Sequence, residues 1–142
     1  MKKLFILFLL AVMLVIVGCS SMTLNSAKRS GDRLDTRDIF NLVSGNTLVL
    51  TAYDFDGTIY FNEQGKISGV DNEGQKDTGS WDIKNNDQLC IRFKVWYYGD
   101  LNCYSIVANN EQNQVSFFTT NGAAYYSGKL VSGDSIGLGT EI

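Results

Sequence analysis

The sequence predicts a mainly β, single-domain fold: a short N-terminal helix, then about eight antiparallel strands closed as a barrel or folded as a sandwich. Three observations support this prediction. After residue 46, runs rich in β-branched and aromatic residues recur every 8 to 14 residues. These runs are separated by Gly, Asn and Asp, and no segment after residue 46 has a helical period. The 142-residue chain is long enough for one domain with its own core.

The N-terminus has the parts of a bacterial export signal. Two lysines precede an apolar run over residues 4–17, which at about 14 residues is shorter than the roughly 20 that span a bilayer as a helix. Residues 16–19 (IVGC) resemble the lipobox of bacterial lipoproteins. The resemblance implies a signal peptide over residues 1–18, cleavage before Cys19 and lipid attachment at that cysteine. An ordinary signal or an uncleaved anchor is the alternative.

Lipidation at Cys19 would place the protein in the bacterial cell envelope, with the membrane as a partner through the lipid anchor. Ser20 differs from the aspartate that retains lipoproteins in the inner membrane, which favours the periplasmic face of the outer membrane where the host has two membranes. Polar and small residues over 19–34 predict a lipidated, flexible spacer, and residues 35–142 form the predicted β-rich domain.

Composition argues against several kinds of function. The chain has 12 basic and 15 acidic residues, and removing the two lysines of the signal leaves 10 basic residues, a net charge of −5. Without a basic patch, nucleic acid is not an expected partner. The sequence has no histidine, which removes His-based catalysis and most transition-metal sites. We therefore expect no catalytic residues, no cofactor and no metal site.

The predicted elements follow in order along the domain. Cap residues at 35–38 (DTRD) precede apolar residues 39–43, and 44–46 (SGN) closes this short helix or turn. Connectors rich in Asn, Asp and Gly have hairpin chemistry. Apolar residues alternate from Leu89 to Val95, so that they face one side of the fifth strand. The predicted strands are 47–53, 58–62, 66–70, 78–84, 88–95, 101–108, 114–119 and 123–131.

Cys90 and Cys103 are predicted to form a disulfide, because exported proteins mature in an oxidising compartment. Two free thiols are the alternative. If the cysteines face each other in a hairpin, its loop is centred on 96–97. The better two-residue turn signal is at 99–100, but it would place the cysteines roughly 20 Å apart along the ladder. We favour the disulfide and a wide loop over 96–100.

Trp96, Tyr97 and Tyr98 are the candidate residues for binding a ligand or partner. Three adjacent aromatics at a strand end cannot all face one core, because neighbours alternate, and aromatics at a rim often bind ligands. The alternative is that Trp96 and Tyr98 plug one barrel end while Tyr97 packs on a neighbouring loop. The pairs 117–118 (FF) and 125–126 (YY) pose the same question: one member is outward, or a helix on the outer face buries both.

One motif resembles a catalytic signature. Residues 54–59 (DFDGTI) match the nucleophile motif of the haloacid-dehalogenase-like phosphatases, which implies Asp54 as nucleophile, Asp56 as general acid and a magnesium ion beside them. That family needs a doubly wound parallel sheet, whereas a hairpin is predicted here, so we interpret the motif as a polar turn between strands. The oxygen-rich segment 71–77 lacks the full spacing of a calcium-binding EF-hand and is interpreted as a solvated loop.

Several short segments support a family resemblance. A Gly-Asn-Thr opening, a Tyr-Phe strand, a Gly-x-Trp strand and two cysteines flanking a loop occur in that order, at residues 42–47, 60–61, 79–81, 89–93 and 103–104. In these segments the chain resembles the DUF995 family of small exported bacterial proteins without an assigned activity. Similar exported domains are often lipocalin-like or calycin-like barrels. The resemblance implies a barrel and supplies no catalytic residues.

The leading functional hypothesis is a non-enzymatic binding or interaction module of the cell envelope. Its ligand is a small apolar molecule inside the barrel or a protein partner at the rim; an interior cavity favours the first, and a filled core with an exposed aromatic patch favours the second. The alternatives are a structural or assembly lipoprotein of an envelope complex, and a magnesium-dependent phosphohydrolase that uses Asp54 and Asp56.

Overall fold

The computed structural model describes residues 32–109 and 113–142, which form a closed antiparallel barrel of eight strands. Each strand pairs with its neighbours in sequence, and β8 closes onto β1. The predicted mainly β fold with a short helix is confirmed, and closure selects the barrel over the sandwich. The elements are α1 (Thr36–Val43), β1 (Asn46–Thr51), β2 (Asp56–Phe61), β3 (Lys66–Asp71), β4 (Lys76–Lys84), β5 (Gln88–Phe93), β6 (Asn102–Asn109), β7 (Gln114–Phe118) and β8 (Ala124–Val131).

The predicted signal peptide, the lipidation site Cys19 and most of the predicted spacer lie outside the described residues. The described chain already packs at Leu34, which is buried and donates its backbone N–H to the Ile106 carbonyl (2.8 Å). The packed part of the chain therefore begins before the predicted boundary at residue 35. None of the helices in the described part of the chain is long and apolar enough to cross a bilayer.

Helix α1 covers one end of the barrel, which we call the base. The Asp35 carboxylate accepts the Asp38 N–H (2.9 Å) and caps the helix. Its apolar face, Ile39, Leu42 and Val43, is buried against the ends of the strands. The Thr36 N–H donates to the carboxylate of Asp87 in the β4–β5 turn (2.7 Å), which fixes the helix against the base.

The barrel interior is a packed apolar core, because alternate residues of every strand point inward. Large side chains with almost no exposure come from six of the eight strands, β1, β2, β3, β5, β6 and β7: Phe61, Phe117, Leu48, Leu50, Ile59, Ile67, Leu89 and Ile106. Phe117 packs edge-on against Tyr104, with 5.7 Å between ring centroids. Side chains therefore fill the described interior, as in other small barrels.

The disulfide between Cys90 and Cys103 is confirmed. The two residues face each other in the β5–β6 ladder, and the connection between these strands is a wide loop centred near residues 96–97. Val95 does not continue the inward row of β5, contrary to the prediction, because the strand ends at Phe93. The Val95 side chain is instead 75% exposed.

Candidate functional site at the barrel mouth

The end of the barrel opposite α1 is the mouth, formed by the connections β1–β2, β3–β4, β5–β6 and β7–β8. Two aromatic rings from these connections fold inward and contact each other edge to face, Phe55 from β1–β2 and Trp96 from β5–β6, with 5.2 Å between centroids. Glycines make room for them: a Cβ would lie 2.6 Å from the Phe55 ring at Gly57 and 2.6 Å from the Trp96 ring at Gly69. The Phe55 and Trp96 rings therefore lie where a side chain at position 57 or 69 would otherwise be.

Tyrosines complete the closure of the mouth. The buried Tyr126 donates its hydroxyl to the Tyr97 oxygen (2.7 Å), which ties β8 to the β5–β6 loop. Burial raises the pKa of Tyr97 to about 12 and that of Tyr126 still further, so both phenols are neutral at physiological pH. A neutral phenol keeps the proton that this hydrogen bond requires.

A β-bulge brings Tyr125 to the same end. Phe117 pairs with Tyr126 while Phe118 pairs with Ala124, so Tyr125 is an extra residue in β8. Its hydroxyl donates to the Asp54 carboxylate, 3.2 Å from either oxygen, and links the β7–β8 end to the β1–β2 loop. One member of each predicted pair, Phe117 and Tyr126, is buried, and Phe118 and Tyr125 are half-buried.

The β5–β6 loop departs from strand geometry at two tyrosines. Tyr97 (φ 56°, ψ 32°) and Tyr98 (φ 60°, ψ 19°) have left-handed backbone conformations, which are rare for bulky residues. Trp96 and Tyr97 therefore both turn toward the core, whereas Tyr98 is 98% exposed. The alternative in which Trp96 and Tyr98 plug the barrel is wrong, because strict alternation does not hold in this loop.

Asp77, which the sequence analysis placed in the solvated segment 71–77, is instead a buried residue of β4 and holds this loop in place. Its side chain is buried (7% exposed), and one carboxylate oxygen accepts the N–H groups of Val95 (2.8 Å) and Trp96 (2.7 Å). The other oxygen accepts the N–H of Thr78 (2.7 Å). The predicted strand began at residue 78, so the sequence analysis did not recognise Asp77 as an inward residue of β4, where a buried carboxylate requires hydrogen-bond donors.

Four exposed apolar or aromatic side chains surround the closed mouth, and we call them the rim patch: Tyr53, Val95, Tyr98 and Leu101. Tyr53 is fully exposed on the β1–β2 loop, and the other three belong to the β5–β6 loop. The two loops touch, since Phe55 packs against Trp96 and Tyr97. The exposed groups are therefore carried by one connected structure.

Carboxylates flank the rim patch. Five are carried by the mouth connections and the strand ends beside them, and none forms an ion pair with a residue that the structure describes: Asp54, Asp56, Asp71, Glu73 and Asp100. Asp71 accepts the N–H groups of Glu73 (3.0 Å) and Gln75 (2.8 Å), so it stabilises the β3–β4 turn. In residues 32–109 and 113–142 there is no group of three or more side chains suited to hold a metal ion.

The phosphatase-like motif lies in the β1–β2 hairpin. Asp54 is in the turn, bonded to Tyr125, and Asp56 opens β2, which runs antiparallel to β1. The predicted turn between two antiparallel strands is confirmed at Asp54, whereas Asp56 and Gly57 belong to β2 and not to the turn. The doubly wound parallel sheet that the phosphatase family requires is not this fold.

No protein-family model matches the chain, and no curated protein matches it either. The family and lipobox resemblances therefore stay predictions.

Proposed function

We propose that this protein is a non-enzymatic binding module that recognises a protein partner through the rim patch. The observation that carries the proposal is the contrast at the mouth. Phe55, Trp96 and Tyr97 close it from within, while the rim patch leaves apolar groups in water. A filled core favours a partner on the surface over a small molecule inside, and exposed apolar groups mark such surfaces.

The chemistry of the rim patch suits a protein interface. Tyrosine is enriched at interfaces, because it offers a large apolar surface and a polar hydroxyl with few rotatable bonds. Tyr98 stands beside Tyr97 and Trp96, which are themselves anchored, so its backbone is held before a partner arrives. A surface held in this way loses less conformational entropy on binding, which raises affinity.

Two features favour a protein over a lipid bilayer as the occupant. The described chain begins at the base, where the Arg33 guanidinium donates to the Asn86 carbonyl (2.6 Å) in the β4–β5 turn. In a lipoprotein anchored at Cys19, the anchor would thus join the domain at the end opposite the rim patch. The carboxylates at the mouth, such as Asp54 and Asp100, would also be repelled by anionic lipids.

Site-specific photocrosslinking tests the proposal. A photoreactive amino acid replaces Tyr98 in the full-length protein, expressed in its own host, and a matched variant carries it at Val49, which is exposed on the outer wall of β1. We expect one discrete protein adduct from position 98, none from position 49, and a weaker adduct when Leu101→Asp is added. Equal adducts from both positions, or none from 98, would contradict the proposal; an adduct of lipid or small-molecule mass would favour a carrier instead.

A further inference from the structure

We infer that Gly69 and Asp77 form a seat that positions the β5–β6 loop for recognition, so that neither residue touches the partner but both are needed for binding. The inference rests on the proposed function, since it assigns recognition to the Tyr98 side of the mouth. Gly69 and Asp77 face each other across the β3–β4 ladder. We call this pair the seat.

Asp77 holds the backbone of the loop. Its buried carboxylate accepts two consecutive N–H groups, those of Val95 and Trp96, just after β5 ends. Charge-assisted hydrogen bonds of this kind are short and strong. They fix the direction in which the chain leaves the barrel wall, immediately before the two left-handed tyrosines.

Gly69 provides the space in which the Trp96 side chain packs. The Trp96 ring lies over Gly69, where a Cβ would come within 2.6 Å of Cζ3 and 3.0 Å of Cη2. The ring also packs against Phe93, with 4.7 Å between centroids. The seat therefore fixes Trp96 by both its backbone and its ring.

The seat explains how the loop maintains an unusual conformation. Each residue in a sparsely populated backbone region persists only when its surroundings determine it. Tyr97 and Tyr98 follow Trp96 directly in the chain, and the exposed side chains of Val95, Tyr98 and Leu101 belong to the same loop. Without the seat, the loop has access to other conformations in which Tyr98 no longer projects from the same place.

The test compares two substitutions in the seat with a matched control in the full-length protein. Asp77→Asn keeps the side-chain volume but replaces one acceptor oxygen by a donor amide, and Gly69→Ala adds a methyl group under the Trp96 ring. Asp82→Asn is the control, because Asp82 is on the same strand and is exposed. Amide hydrogen exchange reports the loop, and photocrosslinking from position 98 reports recognition.

For Asp77→Asn we expect exchange at Val95 and Trp96 to accelerate at least tenfold while exchange in β1 is unchanged, and crosslinking to fall at least fivefold. For Gly69→Ala, fluorine NMR of fluorotryptophan-labelled protein should shift the Trp96 signal and leave that of Trp81, the other tryptophan, in place. Asp82→Asn should match the wild type in both readouts.

Unchanged loop exchange in Asp77→Asn, or an unmoved Trp96 signal in Gly69→Ala, would overturn the seat. Faster exchange with full crosslinking would overturn its role in recognition. Absence of any adduct from position 98 in the wild type is a separate result, because it contradicts the proposed function, while the exchange and fluorine data still decide whether the seat positions the loop.

Discussion

Replacement of both Cys90 and Cys103 by alanine should lower the free energy of unfolding by about 3 kcal/mol. The cysteines are 13 positions apart in the chain, and in the chain-entropy model a crosslink closing a loop of this size stabilises a fold by roughly 3 kcal/mol. The folded barrel should survive the change, because Leu89–Tyr104 and Ile91–Asn102 pair on either side of the disulfide. The loss therefore comes mainly from the less restricted unfolded chain.

Urea unfolding followed by tryptophan fluorescence measures this loss, with Ser105→Ala on β6 as the control. A lower midpoint is the expected result, with an equal or steeper dependence on urea because the unfolded chain without the crosslink is less compact. A loss below about 1 kcal/mol with that dependence unchanged would refute the reasoning, since it would mean that the crosslink barely restricts the unfolded chain or strains the folded one.

Three other substitutions or titrations probe the core and the mouth. Phe117→Ala removes a fully buried ring and should cost about 3–5 kcal/mol in urea unfolding, well above Phe118→Ala. Gly79→Ala should give little folded protein by circular dichroism, because its Cβ would lie 1.9 Å from the Arg92 carbonyl oxygen across the ladder. Burial raises the pKa of Tyr97 to about 12 in the folded protein. The stability that its neutral phenol contributes is therefore complete below pH ~10 and is lost as the pH rises through ~12. A urea midpoint that rises with pH over this range would contradict the burial of the Tyr97 phenol.

The sequence was sufficient to predict the strands, because the fold is made of neighbouring hairpins. Every connection between the strands contains Asn, Asp or Gly, and consecutive strands pair with each other. The one pairing between distant strands, β1 with β8, closes the barrel, and the sequence left it open by allowing a barrel or a sandwich. The cysteine pair then fixed the register of β5 and β6 more reliably than the turn signal at 99–100 did. The disulfide between Cys90 and Cys103 therefore predicted the hairpin better than the local turn preference of residues 99–100 did.

The β5–β6 loop could not be derived in the same way. Its conformation depends on Asp77, 18 residues before Val95, and on the gap at Gly69. Neither residue has a local signal that identifies its partner. Alternation was therefore extended past Phe93 and wrongly placed Val95 inside, and it left open whether Tyr98 is buried or exposed. The conformation of this loop is determined by long-range hydrogen bonds to the buried Asp77 carboxylate, which the periodicity of the sequence does not reveal.

The two ends of the barrel differ in structure, and the difference matters for the proposed function. The N-terminal part of the described chain, Arg33, Leu34 and α1, packs at the base. Hydrogen bonds from Arg33 and Thr36 to the β4–β5 turn, and from Leu34 to Ile106, hold it there. The mouth holds exposed aromatic groups on loops braced by Asp77 and Tyr126. Because attachment and recognition would lie at opposite ends, substitutions in the rim patch should leave any anchoring through Cys19 intact, and loss of the anchor should leave the rim patch folded.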